Sequence, residues 1–432
     1  MNILHINYSD GVGGASRAAY RIFTSLNDYY KNNNLKTFFR VDTKITDDYR
    51  IIGNPQTGKL WRKIHPLINK IPYQSFSSVN KTAHSIAYIS NGFHKSVENI
   101  INKYEIDLLH LHWIGNNTLT IEEIGRIKVP IIWTLHDQWA FCGAEHYAFP
   151  PEGDLEKNSS YRFISGYNKI NRDYGEKGLD LDAWTWKRKK KSWKKPMNIV
   201  CPSTWLSSCA KKSSLMSSWP ISTIPYPINL NKWKPIDSNL ARDLLNLPKD
   251  NIPIVLFGAI GGTNDPRKGS GLLFDAFLYL KELVKGTHLD NLRVIIFGQS
   301  EPEQKPNIGF HYSYLGKISD DIALRLLYSA ANLMVVPSIQ DNFPQTATES
   351  HACGTPVVSF KTGGLTDIID HKITGYLADP FQSKSLAKGI KYILDSSENG
   401  KLLGINARYK AERLWEEKLI ASKYKKLYQE II

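Results

Sequence analysis

Short apolar runs alternate along the chain with longer stretches in which apolar and charged residues recur at helical spacing. Such runs are typical of buried strands, and their alternation with helices indicates an α/β fold with parallel sheets. In the first half of the chain they predict strands at residues 3–7, 36–41, 106–111, 131–135, 198–202 and 222–225. In the second half they predict strands at residues 254–257, 292–297, 309–314, 333–336, 356–359 and 375–378.

A polar, proline-marked stretch, NLNKWKPIDSNLARDLLNLPKDN, separates the two series of predicted strands. At 432 residues the chain is longer than one ordinary hydrophobic core supports, so we place a domain boundary there. We expect two doubly wound, Rossmann-like domains, at residues 1–235 and 236–411, facing each other across a cleft. The last helical segment, about 412–432, is expected to pack back on the first domain. Ligands of such sheets bind at the carboxyl ends of the strands.

The composition is that of a globular protein, with 42% hydrophobic residues. The formal net charge of +14 predicts a negative partner, either nucleic acid, an anionic membrane surface or a phosphate-bearing substrate. No apolar run reaches the roughly 20 residues of a spanning helix, and the first residues do not follow the pattern of a secretory signal. The four cysteines lack metal-type spacing, which favours free thiols. We therefore expect a cytoplasmic protein.

Two glycine-rich turns each follow a predicted strand and precede a helix. In the first, Gly13 and Gly14 stand at the expected start of a helix, a geometry that presents backbone N–H groups to an anion. The spacing is not G-x-G-x-x-G, and a tight turn without a ligand is the alternative. In the second, Arg267 and Lys268 place two cations at a helix entrance, which suits a diphosphate. The alternative is a solvated loop with incidental charge.

The segment DNFPQTATESHACGTPVV, residues 341–358, follows another predicted strand. A helix is expected to begin near Pro344, so that backbone N–H groups of residues 343–346 can bind sugar hydroxyls or phosphate. Glu349 lies on that helix, and a carboxylate can accept two hydrogen bonds from a vicinal diol. The alternatives are a plain N-cap for Asp341 and a solvated helix face for Glu349.

Together these segments resemble the donor site of family 4 glycosyltransferases, which have the two-domain GT-B fold. The resemblance rests on D-N-F-P-x-T-x-x-E-x-x-A-C-G-T-P-V-V, on T-G-G-x-x-D at 362–367, and on the segments at 202–206, 224–229 and 315–319. The family usually has two glutamates at this spacing, and Asp341 stands where the first commonly lies. Residues 134–147 look most like a branch of bacterial exopolysaccharide and lipopolysaccharide glycosyltransferases that includes colanic-acid enzymes.

The resemblance implies a role for each matching residue. Glu349 would bind the ribose of a sugar nucleotide, and Arg267 and Lys268 would hold its diphosphate. His136 would lie beside the transferred sugar and Asp137 on the acceptor side. With Asp341, the catalytic set is His136, Lys268, Arg267, Asp341 and Glu349, and the donor-binding set is Gly13, Gly14, Lys317, Ile318, Asn342, Phe343, Pro344, Gln345 and Thr346.

The activity implied by the resemblance is a retaining, metal-independent hexosyl transfer with no cofactor. The donor would be a UDP- or GDP-linked sugar, and the acceptor a saccharide or an undecaprenyl-diphosphate-linked glycan in bacterial surface polysaccharide biosynthesis. No D-x-D motif is placed to hold a metal ion. The alternatives are a sugar-nucleotide epimerase or hydrolase on the same fold and, from the net charge, a nucleic-acid-binding protein.

Two further features are open to a functional interpretation. His110 and His112 have the look of a metal-ligand pair, but alternate positions in a strand favour a place in the core or in the wall of a cleft. The run from Trp184 to Lys195 interleaves tryptophans with basic residues. It predicts either a solvated basic helix face or peripheral contact with an anionic membrane, which we favour over binding to nucleic acid.

Overall fold

The computed structural model describes residues 1–30, 34–53, 84–90, 97–148, 161–172, 178–248, 252–258 and 265–432. The chain divides into two compact units. The first unit contains Met1–Tyr226 together with Ile420–Ile432, and the second unit contains Pro227–Leu419. The sequence placed the boundary nine residues later, between 235 and 236, inside the polar stretch that opens the second unit. In the described ranges no helix is long and apolar enough to cross a membrane.

The first unit is built on a parallel sheet of seven strands in the order β3-β2-β1-β4-β5-β6-β7. The strands are β1 Asn2–Ser9, β2 Lys36–Thr43, β3 Ile51–Gly53, β4 Leu108–Leu111, β5 Ile131–Thr134, β6 Asn198–Cys201 and β7 Ile221–Thr223. The helices are α1 Gly13–Tyr30, α2 Glu98–Lys103, α3 Ile121–Arg126, α4 Arg162–Ser165, α5 Leu181–Ser192 and α6 Thr204–Lys212. Because the chain leaves β3 to start again at β4, on the other side of β1, the strand order reverses between β1 and β4.

The second unit has a parallel sheet of six strands in the order β10-β9-β8-β11-β12-β13. The strands are β8 Ile254–Gly258, β9 Arg293–Phe297, β10 His311–Tyr314, β11 Leu333–Val336, β12 Val357–Phe360 and β13 Gly375–Ala378. The helices are α7 Ser238–Leu244, α8 Ser270–Val284, α9 Asp321–Ala330, α10 Gln345–Ala352, α11 Leu365–Ile368, α12 Ser383–Leu394 and α13 Ser397–Trp415. Here the strand order reverses between β8 and β11.

Each predicted strand overlaps an observed one, and β3 is the strand among the described residues that the pattern missed. Most of the strands are apolar and buried because parallel sheets are covered on both faces, whereas β7 and β10 are only partly buried. In contrast, β3 has three residues, Ile51–Gly53, and its run is too short to stand out.

The last helix, α14 Glu417–Ile431, has its final residues in the first unit. Tyr424 and Tyr428 are fully buried there. The Tyr428 hydroxyl lies 2.7 Å from His110 Nδ1, and the Tyr424 hydroxyl lies 3.1 Å from Thr134 Oγ1. The first unit is therefore completed by residues that follow the whole second unit in the sequence.

Helix α5 carries the basic tryptophan run, and its lysines do not all face solvent. Lys189 is completely buried, and its amine donates to the carbonyl oxygens of Trp139, Cys142 (3.0 Å) and Gly143 (2.7 Å). Arg188 pairs with Glu122 at 2.8 Å. The prediction of one solvated basic face is therefore wrong for Lys189. The exposed lysines are Lys187, Lys190, Lys191, Lys194 and Lys195.

Candidate functional site

In the second unit, two loops at the carboxyl ends of β8 and β11 are joined by an ion pair. Lys268 Nζ donates to Asp341 Oδ2 at 2.6 Å, and both side chains are largely buried. The neighbouring Arg267 pairs with Asp265 at 2.6 Å. The two cations predicted from the sequence therefore lie together at this edge of the sheet, each against an aspartate.

Backbone contacts fix the distance between these two loops. The N–H of Ile339 donates to the carbonyl oxygen of Arg267 at 2.7 Å. Gly269 has a φ of +67°, and a Cβ there would lie 1.9 Å from the carbonyl oxygen of Pro337. A side chain at this position would be strained and would separate the loops. Gly269 thus allows the two loops to lie close together, with the ammonium group of Lys268 beside Asp341.

Helix α10 begins a few residues after Asp341, with Pro344 at its N-cap position. Among the described residues no side chain caps this helix, so the interpretation of Asp341 as a plain N-cap is wrong. Glu349 has 2% of its surface exposed, and its Oε2 accepts a hydrogen bond from the Tyr328 hydroxyl at 3.2 Å. The alternative of a solvated helix face is therefore wrong as well. Glu349 is therefore not a surface group, and whether it binds a ribose stays a prediction.

Most of the remaining predicted donor-site residues lie in the second unit. Asn342, Phe343 and Pro344 are buried, while Gln345 and Thr346 are half-buried in the first turn of α10. Lys317 is exposed and Ile318 half-buried, in the segment that follows β10. Ala259, Gly261 and Gly262 of the glycine-rich loop lie outside the described residues. Whether these groups bind a donor stays a prediction.

In the first unit, the glycine-rich turn joins β1 to α1. The Ser9 hydroxyl accepts from the N–H groups of Gly11 and Val12 at 3.3 Å, so these two donors are turned inward. Gly13, with a φ of +81°, and Gly14 begin helix α1. Of the predicted anion-binding amides, those of Gly13 and Gly14 therefore lie at a helix start, as the sequence predicts.

His136 follows β5 and is held by two other side chains. Its Nδ1 lies 2.7 Å from the Tyr226 hydroxyl, and its Nε2 lies 3.4 Å from Nδ1 of His112. His112 Nε2 in turn lies 3.0 Å from Nδ1 of His5. Burial lowers the pKa of His136 to about 3 and that of His5 to about 3, so both rings are neutral at neutral pH. His136 is therefore a neutral, oriented hydrogen-bonding group.

His5 joins His110 and His112 because β1 and β4 pair in parallel with His5 beside His110. Their ring nitrogens lie within 4.8 Å of one another, a spacing that a metal site would share. However, Nδ1 of His110 lies 2.7 Å from the Tyr428 hydroxyl and Nε2 lies 2.7 Å from Thr134 Oγ1. Both nitrogens of His110 are thus engaged, and the three buried rings form a hydrogen-bonded part of the core.

A second buried group of potential metal ligands consists of His84, Glu145 and Asp182. His84 Nε2 lies 2.9 Å from Asp182 Oδ1, and the Tyr167 hydroxyl bonds Glu145. Burial raises the pKa of Glu145 well above its usual range. Arg162, whose Nη1 is 3.8 Å from Asp182 Oδ2, supplies a compensating positive charge. These contacts account for the group as a buried polar network.

Asp137 belongs to a chain of hydrogen bonds that sequence reasoning missed. Trp113 Nε1–H donates to the Tyr88 hydroxyl at 2.7 Å, and that hydroxyl lies 2.5 Å from Asp137 Oδ2. The other carboxylate oxygen of Asp137 accepts from the N–H of Trp139 at 3.0 Å. Tyr88 and Trp113 come from segments far apart in the sequence, and no motif marks them.

Comparison with known proteins agrees with this description of the second unit. Residues 253–410 match the family described as Glycosyl transferases group 1. That segment lies within the second unit and is similar to group 1 glycosyl transferases. The donor-site residues predicted in the second unit, from Arg267 to Glu349, all lie within it.

Curated relatives match part of the chain. A D-inositol 3-phosphate glycosyltransferase from Segniliparus rotundus is 27% identical over 195 residues, which is 43% of this chain and 41% of the relative. An uncharacterized glycosyltransferase from Methanocaldococcus jannaschii, MJ1607, is 38% identical over 81 residues, 19% of this chain and 20% of the relative. The chain thus aligns with less than half the length of these relatives.

Solved structures match the whole chain at low identity. The sucrose-phosphate synthase of Thermosynechococcus elongatus has a TM-score of 0.67 at 20% identity, covering 99% of this chain and 98% of that one. Anabaena Alr3699/HepE, solved in complex with UDP-glucose, has a TM-score of 0.64 at 15% identity, with full coverage of both chains. These likenesses show the fold, and the prediction of an α/β GT-B fold with two doubly wound domains is confirmed.

Proposed function

We propose that this protein is a glycosyltransferase that moves a sugar from a nucleotide-sugar donor to a saccharide-containing acceptor. The observation that carries the proposal is the paired loop of the second unit, in which Lys268 and Arg267 lie at the carboxyl ends of the strands beside helix α10. The match of this unit to group 1 glycosyl transferases supports it. The Anabaena structures with UDP and UDP-glucose favour a nucleotide-sugar donor.

The chemistry of the proposed reaction suits these residues. Breaking the bond between the anomeric carbon and the phosphate builds negative charge on the leaving diphosphate. Lys268, Arg267 and the N-terminal end of α10 would stabilise that charge, as preorganised cations and dipoles do in a site shielded from water. Glu349 would accept hydrogen bonds from the ribose. We further propose that the transfer retains the anomeric configuration and proceeds without a divalent metal.

Donor binding is tested by thermal unfolding in the presence of UDP, GDP and their sugars, each with and without excess EDTA. A ligand that binds the folded state alone stabilises it by about 2.7 kcal/mol at a hundred times its Kd. We expect one nucleotide series to raise the unfolding temperature by a few degrees, with the same rise in EDTA. No stabilisation by any nucleotide would contradict the proposed function, and loss of the rise in EDTA would contradict metal independence.

We also propose that the acceptor is part of a bacterial surface glycan, built on an undecaprenyl-diphosphate-linked saccharide at the inner face of the plasma membrane. The resemblance of residues 134–147 to that branch of enzymes supports it. A fold neighbour at 15% identity, WaaG, is described as involved in lipopolysaccharide biosynthesis. The exposed lysines on and after α5 are available for contact with anionic lipid.

Membrane contact is tested by binding to vesicles with and without anionic lipid. Each exposed lysine near such a surface contributes about 1 kcal/mol, so removing four should reduce binding by a large factor. The variant replaces Lys190, Lys191, Lys194 and Lys195 with glutamine and leaves the buried Lys189 in place. A control of equal net charge replaces Lys285, Lys388, Lys401 and Lys418, all exposed. Equal binding by the two variants would mean that the exposed lysines on and after α5 contact solvent alone.

A further inference from the structure

Helix α13 in the second unit presents large apolar side chains to solvent. Leu402, Ile405 and Tyr409 are 56%, 66% and 62% exposed, whereas the opposite side of the helix carries its buried residues. Ile373, in the turn that precedes β13, is 56% exposed. It lies next to the helix, because the side chain of Asn406 donates to its carbonyl oxygen at 3.1 Å. We call the surface of Ile373, Leu402, Ile405 and Tyr409 the α13 face.

The apolar residues of the α13 face have the spacing of a contact between two helices. Leu402, Ile405 and Tyr409 are separated by three and four residues, and Glu398 and Glu412 continue this alternation toward the two ends of the helix. An alternation of three and four places side chains along one stripe of a helix, and apolar residues at this spacing pack against a second helix. Single exposed apolar residues are common on protein surfaces, whereas an ordered group of them marks a contact surface.

The charged residues around the apolar centre are arranged in a definite order along α13. Glu398 and Lys401 stand near the start of the helix, Glu412 and Arg413 stand near its end, and all four are exposed. If a second copy of the helix lay antiparallel across the face, Glu398 would be near Arg413 of the second copy. Lys401 would be near its Glu412, so both pairs would have opposite charges. In a parallel pair, each residue would instead lie near a residue of the same charge.

These positions are symmetric about the middle of the helix. Residues 398 and 413 are equally far from the midpoint between Ile405 and Asn406, and so are residues 402 and 409. A two-fold axis through that midpoint therefore brings Leu402 of each copy near Tyr409 of the other. A dimer of this symmetry uses the same surface on both subunits, so the surface must be complementary to itself. The α13 face meets this condition in its charges and in its apolar residues.

The charge of the α13 face argues against an anionic membrane as its partner. Glu398, Lys401, Glu412 and Arg413 carry no net charge together, although the chain as a whole has a formal charge of +14. The two glutamates would be repelled by anionic headgroups, which attract clusters of lysine and arginine. The exposed lysines on and after α5 belong to the first unit, so the α13 face is a different surface.

We propose that the α13 face is the contact surface of a symmetric homodimer, in which the α13 helices of two copies pack antiparallel. The proposal concerns assembly and does not depend on the proposed function. A helix of about five turns with one neighbouring turn is smaller than a standard interface of about 800 Å² per partner. We therefore expect a weak dimer that forms in the micromolar range.

Sedimentation velocity over the low to high micromolar range tests the association. The sedimentation coefficient of the wild type should rise with concentration from that of a monomer to that of a dimer. Ile405→Lys places a charge at the centre of the contact and should weaken association about tenfold or more. Its thermal unfolding should stay close to that of the wild type, because Ile405 is exposed. A wild type that stays monomeric, or an Ile405→Lys variant that associates equally well, would overturn the proposal.

Charge reversals test the antiparallel arrangement. Glu398→Arg and Arg413→Glu should each weaken association about tenfold at low salt, because each creates two pairs of like charge. The double variant should associate as the wild type does, and a mixture of the two single variants should form heterodimers. The control variants are Glu282→Arg and Lys285→Glu, at exposed positions at the end of α8, and they should associate normally. Single reversals without effect, or a double variant that stays weakened, would overturn the antiparallel dimer.

Vesicle binding distinguishes the homodimer from a membrane contact. The probes are vesicles of phosphatidylcholine with and without phosphatidylglycerol. We expect Ile405→Lys to bind them as the wild type does. If instead the wild type stays monomeric and Ile405→Lys loses vesicle binding, the α13 face contacts lipid and the dimer is overturned. Neither result affects the donor site, because nucleotide binding is measured separately.

Discussion

Replacing Lys268 with alanine, or Glu349 with glutamine, is expected to reduce sugar transfer about a hundredfold or more. Lys268 would lose a charge-assisted contact to the leaving diphosphate, and contacts of this kind that act on developing charge are worth roughly 10²–10³ in kcat. Glutamine keeps the volume of Glu349 in its buried site. However, it has one acceptor oxygen instead of two, so it cannot accept a hydroxyl hydrogen bond at each end of the group. The measurement is the rate of UDP- or GDP-sugar turnover with acceptor, at saturating donor.

Matched controls separate this loss from damage to the fold. Lys285→Ala and Glu282→Gln change the same residue types at exposed positions of the second unit and should transfer at the wild-type rate. Thermal unfolding of Lys268→Ala and Glu349→Gln should stay within a few degrees of the wild type. Near-wild-type turnover by both site variants would show that the Lys268 loop and α10 do not hold the donor.

Replacing Lys189 with methionine is expected to destabilise the protein by on the order of 3 kcal/mol, whereas Lys190→Met should change little. The ammonium group of Lys189 donates to three buried carbonyl oxygens, and methionine donates to none. Lys190 is the adjacent residue on the same helix and is exposed. Urea unfolding of the two variants measures the difference. Equal stability of Lys189→Met and Lys190→Met would mean that the charged end of Lys189 does not stabilise the fold beyond the packing of its methylene groups.

The difference in stability between the wild type and Lys189→Met should also depend on pH. Burial lowers the pKa of Lys189 to about 7 in the folded protein, against about 10.4 in an unfolded chain. Between these values the unfolded state binds more protons than the folded state, so this group makes wild-type stability rise with pH. Methionine lacks that contribution, and the gap between wild type and Lys189→Met should widen from pH 7 to pH 9. A stability difference that does not change between pH 7 and pH 9 would show that Lys189 has an ordinary pKa in the folded protein.

The fold could be predicted from the sequence because most strands of a parallel sheet are continuous apolar runs. Such a run can be recognised from the local sequence, without knowing which strand it pairs with. The donor-site segments could be predicted for a related reason: Arg267 and Lys268 lie in the loop that follows β8, and residues 341–349 lie in the segment that follows β11. In both cases the informative residues are close together in the sequence. The missed strand, β3, has three residues and offers no such run.

Features that depend on distant contacts could not be predicted. A run of basic residues does not reveal which one faces inward. Lys189 can be buried because backbone carbonyl oxygens at residues 139–143 accept its hydrogen bonds. Tyr88 is 25 residues from Trp113 and 49 from Asp137, so the chain that orients Asp137 exists only in the folded protein. His5 joins His110 and His112 through the pairing of β1 with β4.

The return of residues 420–432 to the first unit has a consequence for the order in which the protein forms during synthesis. Domains generally fold as they leave the ribosome, the N-terminal one first. Here the hydroxyls of Tyr424 and Tyr428, which bond Thr134 and His110 inside the first unit, are made after the whole second unit. At 5–20 residues per second, translation of residues 227–419 takes about 10–40 s. During that time the first unit lacks residues 420–432, and we expect the apolar surface that they later cover to be exposed on the nascent chain.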